Sequence, residues 1–196
     1  MRSGLGLVLL LALCAASGFF VGRAFWGGTA SESAADAAPP SRVPEFQLRD
    51  LSGATRSIGE WSPQALIINF WATWCAPCRR EMPLLEALHR ERAGQGLAVI
   101  GIAIDDEDPV RAFVGETGVT YSILVGQQDA MTVADSFKPG WAGLPMTIVA
   151  APGGDILKVH MGELHPEDLA GIVSVLERLR SGGMSVAEAR DALRDA

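Results

Sequence analysis

Ala65-Leu66-Ile67-Ile68-Asn69-Phe70-Trp71-Ala72-Thr73-Trp74-Cys75-Ala76-Pro77-Cys78 is the stretch whose reading decides the fold. Ala65 to Trp71 is apolar without a break apart from Asn69, as expected of a central strand covered on both faces. Ala76 to about Arg92 then reads as a helix. Leu84, Leu85 and Leu88 share one face, Arg79, Arg80, Glu86 and Arg90 are left for solvent, and Pro83 predicts a kink. A cysteine where a buried strand turns into a helix sits among unpaired backbone N–H groups at the positive end of the helix dipole, which favours thiolate over thiol. Cys75 holds that position. Cys78 lies one turn further in, close enough to bond to it and more shielded, so one sulfur attacks and the other resolves. Pro77 fits a first turn, where its missing N–H has no intrahelical partner to lose.

A Cys-x-x-Cys is also half of a tetrahedral zinc site, which needs two further cysteine or histidine ligands. His89 falls about three turns along the same helix, His160 and His165 belong to a distant hairpin end and helix start, and Cys14 lies in the apolar leader. No metal site is expected. Beside a strand–helix–strand pattern the pair reads as a redox dithiol, with no cofactor beyond its own disulfide.

Outward from this centre, Leu97 to Ile104 is a second buried strand, and Asp108-Pro109 reads as the N-cap and first position of a helix running to about Glu116. Strand, helix, strand, helix implies parallel pairing. Tyr121 to Val125 reads as a short strand, Asp129 to about Phe137 as a short helix, and Met146 to Ala150 with Ile156 to His160 as a hairpin turning at Pro152-Gly153-Gly154. Pro166 to Arg180 carries Leu169, Ile172, Val173, Leu176 and Leu179 at helical spacing. Before the main sheet, Phe46, Leu48 and Ile58 flank a Ser52-Gly53 turn in a short strand pair. The fold class is α/β, a three-layer sandwich around a mixed sheet. Ser185 and Glu188 form a capping box for a last helix, but Val186, Ala189 and Leu193 make a thin stripe, so weak docking or fraying is expected.

Ser3 to Gly22 holds no charge and matches a hydrocarbon core of about 30 Å. It reads as a single-pass anchor within residues 1–26; a cleaved signal peptide is the rival, with Ala12, Ala15 and Ala16 near a plausible cut. Either reading exports the rest of the chain, placing the domain on the periplasmic or extracytoplasmic side of the inner membrane. Residues 27–41, small, polar or proline, read as a flexible tether. One domain over residues 42–180 and a tail over 181–196 complete the chain.

The chain has 196 residues, 48% hydrophobic and 20% charged, an ordinary folding composition. Its net charge is −7, and the part after residue 41 keeps that value with 14 basic against 21 acidic residues. With Lys138 and Lys158 the only lysines, no basic patch offers itself to phosphates, so nucleic acid is not an expected partner. Three cysteines exclude a disulfide-dense scaffold.

Asn69 to Cys78, with Pro83 at its offset, resembles the thioredoxin-superfamily active site, and Gly143-Leu144-Pro145-Met146-Thr147 resembles that superfamily's second signature. The stretch from about Arg42 to Arg180 is similar to the membrane-anchored TlpA/ResA/CcmG-like branch, with its leading hairpin and an inserted helix and strand, here about Pro109 to Val125. The resemblance implies a cis Pro145 beside the dithiol and an extracytoplasmic thiol–disulfide oxidoreductase. Such enzymes reduce particular partners, such as apocytochrome c or copper-site assembly factors, and are recharged by a membrane-embedded dithiol donor. Trp74, Ala76, Pro77, Leu144 and Pro145 are the expected substrate contacts, and Trp71 is expected in the core.

Two departures stand out. Asn69 occupies the place of the buried Asp that moves protons in cytosolic thioredoxins, and Met146 follows the proline where cytochrome-maturation members often have Glu. In the resembled branch an acid just past the second strand approaches the dithiol, and Asp106, within Asp105-Asp106-Glu107-Asp108, is the gap-free match. The bland alternative is a solvated loop in which Asp108 caps the next helix. The histidines are given no role. For function, a disulfide reductase leads; a dithiol oxidase and a copper(I) chaperone holding the metal on both thiolates are the alternatives, the second without a Met-rich or His-rich tract behind it.

Overall fold

Strand β3, Ala65–Trp71, is buried at every residue and forms the axis of a seven-stranded sheet of order β2-β1-β5-β4-β3-β6-β7. The computed structural model describes residues 40–194, so the expected anchor and all but the last two residues of the tether lie outside the described residues. Among the described residues no helix is long and apolar enough to cross a membrane.

On one side β3 pairs in parallel with β4, Leu97–Ile104, which pairs in parallel with β5, Ser122–Gly126. On the other it pairs antiparallel with β6, Met146–Ala150, which continues into β7, Ile156–Met161. Helix α1, Ala76–Arg92, makes the first parallel crossover and runs unbroken through Pro83. The period of two along β3 splits the core. Ile67 and Trp71 face the layer containing α1 and α4, Pro166–Arg180; Leu66, Ile68 and Phe70 face α3, Gln128–Phe137, and a 3-10 turn at Ile58–Trp61. The expected three layers and mixed sheet are present.

Three local readings change. The leading hairpin, β1 (Gln47–Asp50) with β2 (Thr55–Ser57), joins the main sheet, because β1 pairs antiparallel with β5 at the edge that the insertion creates. Its turn is held by Asp50, whose Oδ1 accepts from Ser52 N, Ser52 Oγ and Ala54 N, with Gly53 at φ +86°. The inserted helix α2 spans Glu107–Thr117 with Asp106, not Asp108, in the N-cap position. Pro109 then falls at the third helical residue, which is tolerated because the first-turn N–H groups lack intrahelical partners anyway.

The tail helix α5, Val186–Arg194, is docked on the domain through the buried Ala189 and Leu193. Ser185 and Glu188 cap it as read, Ala189 and Leu193 enter the core layer shared with α4, and the Arg190 guanidinium donates to the carbonyls of Ile156 and Ser41. Two apolar residues suffice for docking because β7 and α4 already supply the opposing surface.

Candidate active site

The end of β3 delivers Thr73 and Trp74 to a loop, and Cys75 becomes the N-cap of α1 in an extended conformation, φ −85° and ψ 103°. Its Sγ accepts the N–H of Cys78 at 3.3 Å, taking up one of the orphan donors of the first helical turn. Cys75 and Cys78 are joined by a disulfide, their Cα atoms 5.3 Å apart. Cys75 retains 5% of its surface and Cys78 none. Around them Trp74 is 69% exposed, Ala76 is exposed and Pro77 half-buried.

The Leu144–Pro145 peptide is cis. Met146, the next residue, lies opposite Phe70 in the β3–β6 ladder, so Pro145 is set at the end of β3 from which the dithiol follows. Pro145 is buried, while Leu144 is half-buried and packs against the core cluster that contains both cysteines. Trp71 is fully buried, 5.4 Å from the Phe113 ring of α2. Over the same Phe113, at 5.4 Å, sits the Arg79 guanidinium, on the rim of a groove of about 370 Å³ between α1 and α2.

Of the four consecutive acids, Asp105 is the one bound to the loop before the cysteines. Its Oδ2 accepts from Thr73 N at 2.9 Å and from Thr73 Oγ1 at 2.6 Å, and its Oδ1 from Asp106 N at 2.8 Å. The side chain of Asp106 instead accepts from Gln127 Nε2 and is exposed. β4 ends at Ile104, so Asp105 is the side chain within reach of Thr73, and Asp106 turns to Gln127.

The acid buried beneath the dithiol was missed by the sequence reading. Glu81 is 0% exposed, three residues after Cys78 and so on the same face of α1. Its Oε1 accepts from Asn69 Nδ2 at 2.7 Å and its Oε2 from Leu164 N at 2.6 Å; Asn69 Nδ2 also reaches Thr147 Oγ1 at 3.0 Å. Burial outweighs these bonds and pushes the carboxyl up to about 7. Asn69 thus holds a buried carboxyl, Glu81, in place of being one. The signal available was the spacing, since a helix that turns Cys78, Met82 and Leu85 inward turns Glu81 inward as well.

Comparison with known proteins agrees with this geometry. The model of the AhpC/TSA family matches residues 39–158. The chain is 31% identical to the thiol-disulfide oxidoreductase ResA of Geobacillus thermodenitrificans over 163 residues, 83% of this chain and 88% of that one. It is 32% identical to the thioredoxin-like protein YneN of Bacillus subtilis over 65% of this chain and 74% of that one. Among solved structures, a thiol:disulfide interchange protein of the thioredoxin family from Chlorobium tepidum superposes with a TM-score of 0.63 at 27% identity, covering 72% of this chain and 99% of that one.

Proposed function

The chain belongs to the AhpC/TSA family and is a thioredoxin-like thiol–disulfide oxidoreductase, and from that premise we propose that it reduces disulfides of particular partner proteins outside the cytoplasm. The observation that carries this reading is the asymmetry of the dithiol. Cys75 is reachable at the helix start, while Cys78 is shut in above a buried carboxyl.

In the reduced state the Cys75 thiolate attacks one sulfur of the substrate disulfide, forming a mixed disulfide and releasing the first substrate thiolate. Cys78, giving up its proton, then attacks Cys75 Sγ; the Cys75–Cys78 bond forms and the second substrate thiolate leaves. Two electrons pass to the substrate. Glu81, one turn from Cys78 and poised near neutrality, accepts the Cys78 proton, which is the task left open by Asn69. Asp105 acts at one remove, fixing Thr73 and with it the approach to Cys75. Exposed Trp74, with Ala76, Pro77 and Leu144, offers an apolar landing surface for the substrate.

The reducing direction is supported by Ala76-Pro77, which places neither a charge nor a histidine between the cysteines to stabilise the thiolate, whereas strong oxidants gain their strength from a stabilised reduced form. Export is supported by the uncharged stretch from Ser3 to Gly22, long enough to span a bilayer. Apocytochrome c and copper-site assembly factors are the substrate classes proposed, with a membrane-embedded dithiol carrier as electron donor. Acid-quenched thiol trapping in cells tests the direction: Cys75 and Cys78 mainly reduced, and oxidised when the carrier is removed, is the expected result. A pair oxidised in both strains would leave an oxidase instead.

A further inference from the structure

β7 is the last strand of the sheet, and most of its outer edge is open. Gly162 N donates to Pro145 O on the β6 side, at 2.9 Å. Backbone groups of an antiparallel strand turn alternately to one side and the other, so Val159 and Met161 turn their N–H and C=O groups away from β6. Among the described residues no strand lies there. Only the base of this edge is taken: Ile156 N donates to Ser41 O at 2.9 Å, and Arg42 bridges Asp155 in antiparallel sense. Pairing of that sense would climb β7 with the residues before Ser41, but those are Pro39 and Pro40. Of two consecutive residues one must turn an N–H toward β7, and proline has none.

A groove of about 660 Å³ follows the open edge. Its floor is β7, with Lys138 at the end of α3 on one side and Arg190, Leu193 and Arg194 of α5 on the other. Because α3 and α5 pack in opposite layers, the groove is the gap between those layers where the sheet stops. Met161, at its upper end, is 37% exposed. In a chain of net charge −7, both lysines, Lys138 and Lys158, line this groove together with two arginines. Arg190 and Arg194 pair with Asp155 and Asp191, but no acid is among the lining residues.

We propose that this edge docks an extended acidic segment of the substrate protein, added beside β7 as an eighth strand of the sheet. Backbone bonds to Val159 and Met161 supply affinity with little regard for sequence, and the basic lining selects acidic side chains. A second copy of this chain is the poorer occupant, because β7 against β7 sets two basic grooves face to face. The position suits the chemistry. Met161 lies opposite Met146, the residue after Pro145, so a segment on the edge runs toward the loop beside the dithiol. A disulfide just beyond its end is held near Cys75.

The inference rests on the reductase reading, and the test keeps the two apart. Two cyclic disulfide peptides, alike except for a Val-Glu-Val-Glu or a Val-Lys-Val-Lys extension, are compared as substrates of the full-length chain. The acidic one is expected to show a KM about tenfold lower at equal kcat, because docking raises the local concentration of its disulfide. Val159→Pro removes an outward N–H, leaves the β6 ladder intact and should erase the difference. Lys138→Glu, a surface change, should narrow it and keeps the assay decisive if the proline variant does not fold. In the oxidised wild type, hydrogen exchange at the Val159 and Met161 amides should slow when the acidic peptide is added. Equal KM values, a difference that survives both substitutions, or exchange unchanged at those two amides overturns the inference. Slowing that grows with protein concentration in the absence of peptide also overturns it, giving the edge to a second copy. The reductase reading fails on a different result: neither disulfide is reduced while the two amides are still protected.

Discussion

Asn69 Nδ2 donates to Glu81 Oε1 across 2.7 Å in a place from which solvent is excluded, tying the middle of the central strand to the helix that Cys75 caps. A hydrogen bond to a carboxylate in such surroundings counts for more than one at the surface, and it joins the two elements whose junction carries the dithiol.

Stability should depend on pH through Glu81. The carboxyl titrates at about 7 in the folded chain against 4.5 for an ordinary glutamate, so the native state holds the extra proton between those values and stability falls as pH rises. The contribution is about 3 kcal/mol, fully present below the lower value and lost as pH passes the upper one. Denaturant unfolding at a series of pH values should show this slope in wild type and its absence in Glu81→Gln.

Asp105 and Asp106 should separate cleanly. Asp105→Ala frees Thr73 N and Oγ1 and is expected to cost about 1–3 kcal/mol and to slow disulfide exchange. Asp106→Ala, removing an exposed bond to Gln127, should stay within about 0.5 kcal/mol of wild type. Thermal unfolding and an insulin-reduction rate on both variants decide the matter, and equal effects would show that the acidic cluster acts as a unit.

The two sulfurs should differ in reactivity. After reduction, a small alkylating agent should label Cys75 before Cys78, and Cys78→Ser should accumulate mixed disulfides with partners while Cys75→Ser traps few. Mass spectrometry of the singly labelled protein reads the order.

Gly101→Ala should destabilise the domain by about 1–3 kcal/mol, because the added methyl would lie 2.7 Å from Ile123 Cδ1 as well as close to Trp71 and Tyr121. Chemical unfolding measures it, and a neutral result would mean that the strands part easily at this point.

Leu193→Ala tests the tail. A fully buried leucine in a docked helix costs about 2–5 kcal/mol on truncation, whereas one on a frayed end costs almost nothing. The thermal midpoint of the variant tells the two apart.

The central strand, its helix and the second strand were legible because long apolar runs and the Cys-Ala-Pro-Cys junction admit few other readings. Asp105 was not, since four consecutive acids are alike in type and only the end of β4 relative to Thr73 selects one. Glu81 hid between Arg80 and Met82, where charged helical residues usually face water; its burial depends on Asn69 and Leu164, residues remote in the chain. The tail was underrated because its stripe was weighed alone, without β7 and α4 beneath it.

Arg190, by binding the carbonyls of Ser41 and Ile156, decides from which side of the domain the preceding chain departs. Ile156 lies beside Ala150, and Ala150 beside Leu66, near the start of β3, whereas Cys75 follows its far end. At about 3.3 Å per residue the stretch from Leu66 to Trp71 alone separates the two by roughly 17 Å. The described chain therefore begins at the end of the sheet away from Cys75, so a label attached at Ser41 would leave the dithiol face clear.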